Sequence, residues 1–540
     1  MKPEPPARSG VKIAVCHCLE QAVPRRQHSF CEAVAHNAES RHKVAFDLIV
    51  CDFESCVANL RRENSVELAV HEKAVPAMIG VATPKPIREE RQMANARKRA
   101  RQRRRAKSLI GSMREFLTSE VFKQVRNSSR RRKLPRWDLH PLLYILLLTT
   151  YCCGDSLPEK FEAARAFYVA SCSKRKRPGK GFAGFEKAMA KLPMPVLRSL
   201  AAAIRRRAAT VFSDRWQVGE FIPFGCDGTR QTCPRSEELE KRLGTFGKEG
   251  SAPMIWNTSV VHLTLGFPWC WRFGKGGKAS ERTHLLQMLP WLPSLAMIVA
   301  DAGYVGYEVT ASILSAKLSF LIRMSSHATF YTEADTPLSE FCEGIVYYWP
   351  KKQQRQGKPA IRGRLLRIHS RREKVDVWLF TNILESKRLP LETAGVYYRW
   401  RWENEGFFRT YKRTLKKVTL MSRTLRLVHR EAEASMIATQ LLLCQGALAM
   451  PVPKKSELPV MCSPRGVLLE ARRDIAGRSK AGKSFTERIA VAQREQRVRM
   501  TPKQKREWPR RKAHTSPQPP ILLRLTRSQK AQLDNALRAA

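Results

Sequence analysis

Hydrophobic positions along this chain fall into two kinds of run. Short, largely apolar stretches read as strands at Phe221–Cys226, Ile255–Leu265, Trp269–Phe273, Leu295–Ala300 and Leu318–Arg323. Leu295–Ala300 is continuously apolar, which is consistent with a strand buried on both faces. Helical spacing predicts helices over Ser280–Leu289, Gly306–Ala316 and His429–Met450, and one starting at Leu391. Leu139–Phe212 is rich in alanine and leucine and reads as helical, with a break at Lys174–Gly184. The segments Ile345–Trp349, Leu365–His369 and Val375–Thr381 are rich in alternation and aromatics and read as strands, with a hairpin-like basic loop at Lys351–Arg355. We read residues 325–391 as a mostly-β insertion. The pattern is α/β with an all-α region before it.

Two of the apolar runs end in an acid followed closely by glycine. Asp227 stands in Cys226-Asp227-Gly228-Thr229, and Asp301 in Ala300-Asp301-Ala302-Gly303-Tyr304. In open α/β sheets ligands collect at the carboxyl ends of strands. A lone aspartate there is more often a turn or cap residue. A third acid, Glu405, sits in Tyr398-Arg399-Trp400-Arg401-Trp402-Glu403-Asn404-Glu405. Steps of three, four and seven residues set Tyr398, Arg401, Glu405 and Lys412 near one helix face. An amphipathic helix with paired charges is the plain alternative. Three oxygen ligands suit hard divalent ions. Two such ions roughly 3.5–4 Å apart can activate an attacking oxygen and stabilise a leaving one. Arg401 and Lys412 would then hold phosphodiester oxygens.

On these residues the chain resembles the DDE transposases of bacterial insertion sequences, in the subgroup with a Tyr-x2-Arg-x3-Glu-x6-Lys signature. Tyr398, Arg401, Glu405 and Lys412 match that spacing without a gap, and Asp227 and Asp301 fall where the two aspartates belong. The resemblance covers roughly residues 139–445. It implies a ribonuclease H-like mixed-sheet core and two Mg²⁺ ions, with Mn²⁺ able to substitute. It implies cleavage and strand transfer at the ends of a mobile element. The double-stranded DNA partners would be terminal inverted repeats and target, bound by a homodimer. Asp227, Asp301 and Glu405 would be catalytic and metal-binding; Tyr398, Arg401 and Lys412 would contact DNA. In relatives the insertion can offer an aromatic platform for an unstacked base, and Trp349 is the candidate here. Packing on a sheet face is its ordinary alternative.

Charge agrees with a polyanionic partner. Lys and Arg number 98 against 48 Asp and Glu, a formal charge of +50. That is a statement about binding, not about fold. The longest apolar run, Leu139–Cys153, is broken by His140 and Pro141 and is too short for a bilayer. Met1–Pro6 has no apolar leader core. The expected setting is therefore a prokaryotic cytoplasm, on the nucleoid. Cys16, Cys18, Cys31, Cys51 and Cys56 lack zinc-like spacing, and the thiols should be reduced.

The expected domains are a poorly ordered extension over 1–87, with Met93 an alternative start, and a basic arginine-rich segment over 88–136. After these come a helical DNA-binding region over 137–219 and a catalytic domain over 220–450. A basic tail over 451–540 ends in a short helix. Both termini are expected to be flexible. Two other classes stay open: a ribonuclease H-like nuclease without strand transfer, and a catalytically inactive DNA-binding remnant of a transposon.

Overall fold

The computed structural model describes residues 108–129, 137–171, 178–244, 250–275, 280–370, 375–452, 462–479, 482–491 and 518–539. The expected extension over 1–87, Met93, the five early cysteines and the densest arginine run lie outside them. The described cysteines are all free thiols.

One ten-stranded mixed sheet organises the molecule, in the order β10-β6-β7-β8-β9-β5-β4-β1-β2-β3. The strands are β1 (Ile222–Thr232), β2 (Met254–His262), β3 (Phe267–Lys275), β4 (Ala296–Ala300), β5 (Ser319–Arg323), β6 (Thr329–Thr332), β7 (Glu343–Tyr348), β8 (Ile361–Ser370), β9 (Val375–Thr381) and β10 (Ile521–Arg524). β1, β4 and β5 run parallel. β2 and β3 continue from β1 as an antiparallel meander.

The pleat separates two packed layers. Ile222, Phe224, Ile298 and Ala300 face a large cluster that includes the long helix Leu425–Ala449. Phe221, Met297 and Val299 face a smaller cluster with Tyr397 and Tyr398 of the helix Leu391–Trp400. Alternation along β1 and β4 therefore sends Asp227 and Asp301 toward the second layer.

Leu425–Ala449 is buried over most of its length, carrying Glu431, Glu433, Gln440 and Gln445 into the interior with its apolar residues. Helices Leu139–Thr149, Phe182–Lys191 and Met194–Val211 share its core. Tyr151 Oη donates to the Ala438 carbonyl at 2.6 Å, and Gln440 Nε2 to that of Pro268 at 2.9 Å. These helices pack into the same core as the sheet.

Two expectations change. The 325–391 segment is not a separate body: β9 pairs with β5, so β6–β9 prolong the central sheet. The tail is not wholly a flexible arm. Helices Pro464–Ile475 and Phe485–Ala490 bury Val467, Leu468, Phe485 and Ile489, and Asp474 accepts from the Leu109 amide at 2.9 Å. β10 then pairs parallel with β6. Local periodicity does not reveal such returns, because the pairing partners lie far away in the sequence.

Trp349 lies under this returning segment. It is 5% exposed, packs with Tyr331, Tyr347 and Leu533, and donates Nε1–H to the Lys358 carbonyl at 2.7 Å. This is the packing role; a base cannot stack on the ring in this arrangement. Trp349→Phe should cost about 1–2 kcal/mol in urea unfolding, for one hydrogen bond and some buried area. DNA affinity should stay at the wild-type value in a titration.

Candidate active site

Asp227 sits where the parallel part of the sheet ends. The last β1–β4 pair is Gly225↔Val299, and continuing that register two residues sets Asp227 beside Asp301. Adjacent strands lie about 4.8 Å apart. β1 itself continues to Thr232, because β2 keeps pairing with it (Asp227↔Ser259, Thr232↔Met254). The carboxylate is therefore mid-strand, not at the strand terminus as expected. Its Oδ1 accepts from the Gly228 amide at 2.8 Å. Asp301 caps a short turn, Oδ1 accepting from the Gly303 amide at 2.8 Å. Gly303 leaves room for this, since a Cβ there would lie 2.9 Å from that oxygen.

The signature segment is not one regular helix. Leu391–Trp400 ends in a tightened turn, and a second helix, Glu403–Arg409, carries Glu405. The turn is made by i→i+3 bonds from the Arg401 amide to Tyr398 O (3.2 Å) and from the Trp402 amide to Arg399 O (3.2 Å). Thr410–Thr414 is then a π-turn holding Lys412. The four signature residues thus occupy three different local geometries.

Arg401 is 3% exposed, with its guanidinium over the Trp402 ring at 4.7 Å and the Tyr398 ring at 5.6 Å. Burial opposes its charge, but Tyr398, Asp301, Asp227 and Glu405 together outweigh burial and hold its pKa above the ordinary value. Asp227 is pushed up to about 8, by burial first and then by the charges of Asp301 and Glu281. Lys412 donates to Thr229 Oγ1 at 3.1 Å, two residues beyond Asp227 on β1. Burial and the nearby Arg413 and Arg230 push its pKa down.

Asn404 Nδ2 and Oδ1, Tyr398 Oη and Arg401 Nε are buried and have no hydrogen-bond partner. Such groups call for an explanation. Asn404 fills the space over Gly225, where a Cβ would meet its Nδ2 at 2.3 Å and Leu263 Cδ2 at 2.7 Å. Gly225→Ala should destabilise the protein by roughly 1–3 kcal/mol, read from the urea midpoint. It should also displace the helix bearing Glu405.

Glu281 was missed by the sequence reading. It opens the helix Glu281–Met288 right after the N-cap Ser280, so it reads as an ordinary first-turn acid. In the structure Tyr304 Oη donates to its Oε2 at 3.2 Å. Burial, then the Asp301 charge, raise its pKa, with Tyr304 and Arg230 acting against them.

The donors are all carboxylate oxygens, which is the chemistry of a hard divalent ion, and a cation would relieve the repulsion felt at Asp227. Among the described residues no three His, Cys, Asp or Glu side chains group closely enough to hold a metal ion. The donor chemistry fits, and Asp227 and Asp301 each follow the β1–β4 register by two residues. A separate cleft of about 700 Å³ in the helical region is lined by Arg114, Lys123, Arg126, His140 and Tyr144 among others, with no acid on its wall.

Residues 227–441 match the family described as Transposase DDE domain. The match begins at Asp227 and spans Asp301, Glu405 and the whole signature. No curated protein sequence matches the chain. Among solved structures, the piggyBac transposase synaptic complex with hairpin DNA is similar at 10% identity. That likeness covers 72% of this chain and 86% of the other, with a TM-score of 0.33, too low to bear on the site. Among the described residues no helix is long and apolar enough to cross a membrane.

Proposed function

We propose that the chain is a transposase of the insertion-sequence kind, which cuts and joins DNA at the ends of a mobile element. The observation that carries this is the parallel register of β1 and β4, whose last pair Gly225↔Val299 lies two residues before Asp227 and Asp301, inside a segment matching the transposase DDE domain. The order β3-β2-β1-β4-β5, with only β2 antiparallel to β1, supports a ribonuclease H-like core.

Asp227 and Asp301 would hold divalent metal, Mg²⁺ or Mn²⁺, with Glu405 completing the set. The bound cation supplies activation of the attacking oxygen and charge stabilisation at the leaving one. The chain's own residues bring DNA to that point. Lys412 beside Thr229 would take a phosphate oxygen. Arg401 and Tyr398 are buried, so their contact with DNA requires the signature segment to shift at its tightened turn. The net charge of +50 supports binding of a long polyanion, as terminal repeats and target would be. Assembly as a homodimer on paired ends, in a prokaryotic nucleoid, belongs to the same proposal.

A strand-transfer assay tests this reading. A labelled element end should appear joined to a target plasmid in the presence of Mg²⁺. Cleavage without joining would instead identify a nuclease with the same core.

A further inference from the structure

We propose that Glu281 is a positioning residue that strengthens divalent-cation binding by the Asp227–Asp301 pair. This rests on the metal-dependent reading of those acids. Three observations support it.

Glu281 approaches β1 from the face opposite Asp227. Its Oε1 lies 2.3 Å from where a Cβ on Gly228 would sit, so its position depends on the missing side chain at the residue after Asp227. Its other oxygen is held by Tyr304 Oη at 3.2 Å, and that hydroxyl in turn accepts from Cys226 Sγ at 3.3 Å. The thiol and the glycine flank Asp227 on both sides, so Glu281 is locked to the strand segment that carries it. Third, its helix is tied to the Asp301 turn by Arg282 Nε, which donates to the Gly303 carbonyl at 2.7 Å.

An acid serving only the helix N-terminus needs neither the gap at Gly228 nor the Tyr304 bond. Held where it is, the Glu281 carboxylate adds negative charge behind two other carboxylates. Arg401 and Arg230 offset that charge only in part, since Asp227 and Glu281 both remain raised, so a divalent cation gains from the added carboxylate and binds more tightly.

Glu281→Gln keeps shape and hydrogen bonding and removes the charge. Calorimetric titration with MnCl₂ should show affinity reduced by about 10- to 100-fold, the range for lost outer-shell support of a metal site. The metal-free variant should melt at the wild-type temperature or above it, and raising Mn²⁺ should restore cleavage. Wild-type affinity in this variant overturns the proposal. Asp227→Asn is titrated in parallel. If it binds Mn²⁺ like wild type, the metal-dependent reading itself fails; if it loses binding while Glu281→Gln does not, only the role of Glu281 falls. Should Glu281→Gln melt below the assay temperature, Tyr304→Phe carries the test. It releases the carboxylate by removing one hydroxyl and should weaken Mn²⁺ binding several-fold, and unchanged affinity would again overturn the proposal.

Discussion

Asp227→Asn should lower Mg²⁺-dependent cleavage of an element end by at least about 1000-fold. Losing one group that stabilises developing charge can alone cost 100- to 1000-fold, and a metal ligand acts on both the attacking and leaving oxygens. The substitution leaves the shape and takes away the carboxylate that a metal would need. Burial, Asp301 and Glu281 hold Asp227 up at about 8, so the metal-free protein keeps it mostly protonated at neutral pH at a cost that Asn does not carry. The folded protein should be no less stable than wild type at neutral pH. Affinity for DNA should be unchanged or slightly higher, because binding rests on cations elsewhere. Single-turnover cleavage and a gel-shift titration on the same preparation check both halves. Cleavage within tenfold of wild type would remove Asp227 from the site.

The second large effect lies just beyond the signature, in the loop that joins it to the helix Leu425–Ala449. Glu431, on that helix, accepts from Lys417 Nζ at 3.0 Å and from the Met421 and Ser422 amides at 2.9 and 2.8 Å. Both charged side chains are 6% exposed. Next to them Thr232 pairs with Thr419, and Gln231 Nε2 donates to the Lys417 carbonyl at 3.0 Å. This loop therefore fastens the end of the signature segment to β1. Lys417→Met should cost roughly 3–5 kcal/mol, because it leaves Glu431 charged and buried without its partner. The same contacts set the pH dependence. Burial pushes Glu431 up, but the charge and hydrogen bond of Lys417 and the two amides outweigh it and hold its pKa below the usual value. A depressed carboxylate contributes stability above its unfolded pKa of about 4.3, and that stability is lost as pH falls through the folded value. Urea midpoints should therefore drop steeply below about pH 4 in wild type and less steeply in Glu431→Gln.

Both aspartates were legible because each ends a continuous apolar run next to glycine, and such runs become buried parallel strands. The spacing of Tyr398, Arg401, Glu405 and Lys412 was legible as a motif but not as a shape. An ideal helix aligns them; the i→i+3 bonds at Arg401–Trp402 and the π-turn at Thr410–Thr414 cannot be read from periodicity. Arg401 shows the consequence: periodicity does not tell that its side chain is 3% exposed, against the rings of Tyr398 and Trp402. Glu281 was hidden because an acid after an N-cap serine has an ordinary local explanation. Only the gap at Gly228 and the Tyr304 hydroxyl distinguish it. The docking of the tail over Trp349 was not legible for one reason. Leu533 and β10 return across long stretches of sequence, and no local pattern announces where a distant segment docks.

The most direct test of the central claim is an anomalous-scattering map from crystals of the protein grown with an element-end DNA duplex and Mn²⁺. The account predicts peaks roughly 2.0–2.2 Å from carboxylate oxygens of both Asp227 and Asp301, with Glu405 completing at least one coordination sphere. Arg401 should have moved away from them. Density for ordered DNA with no peak at these aspartates, or with Glu405 directed away from a metal held elsewhere, would contradict it.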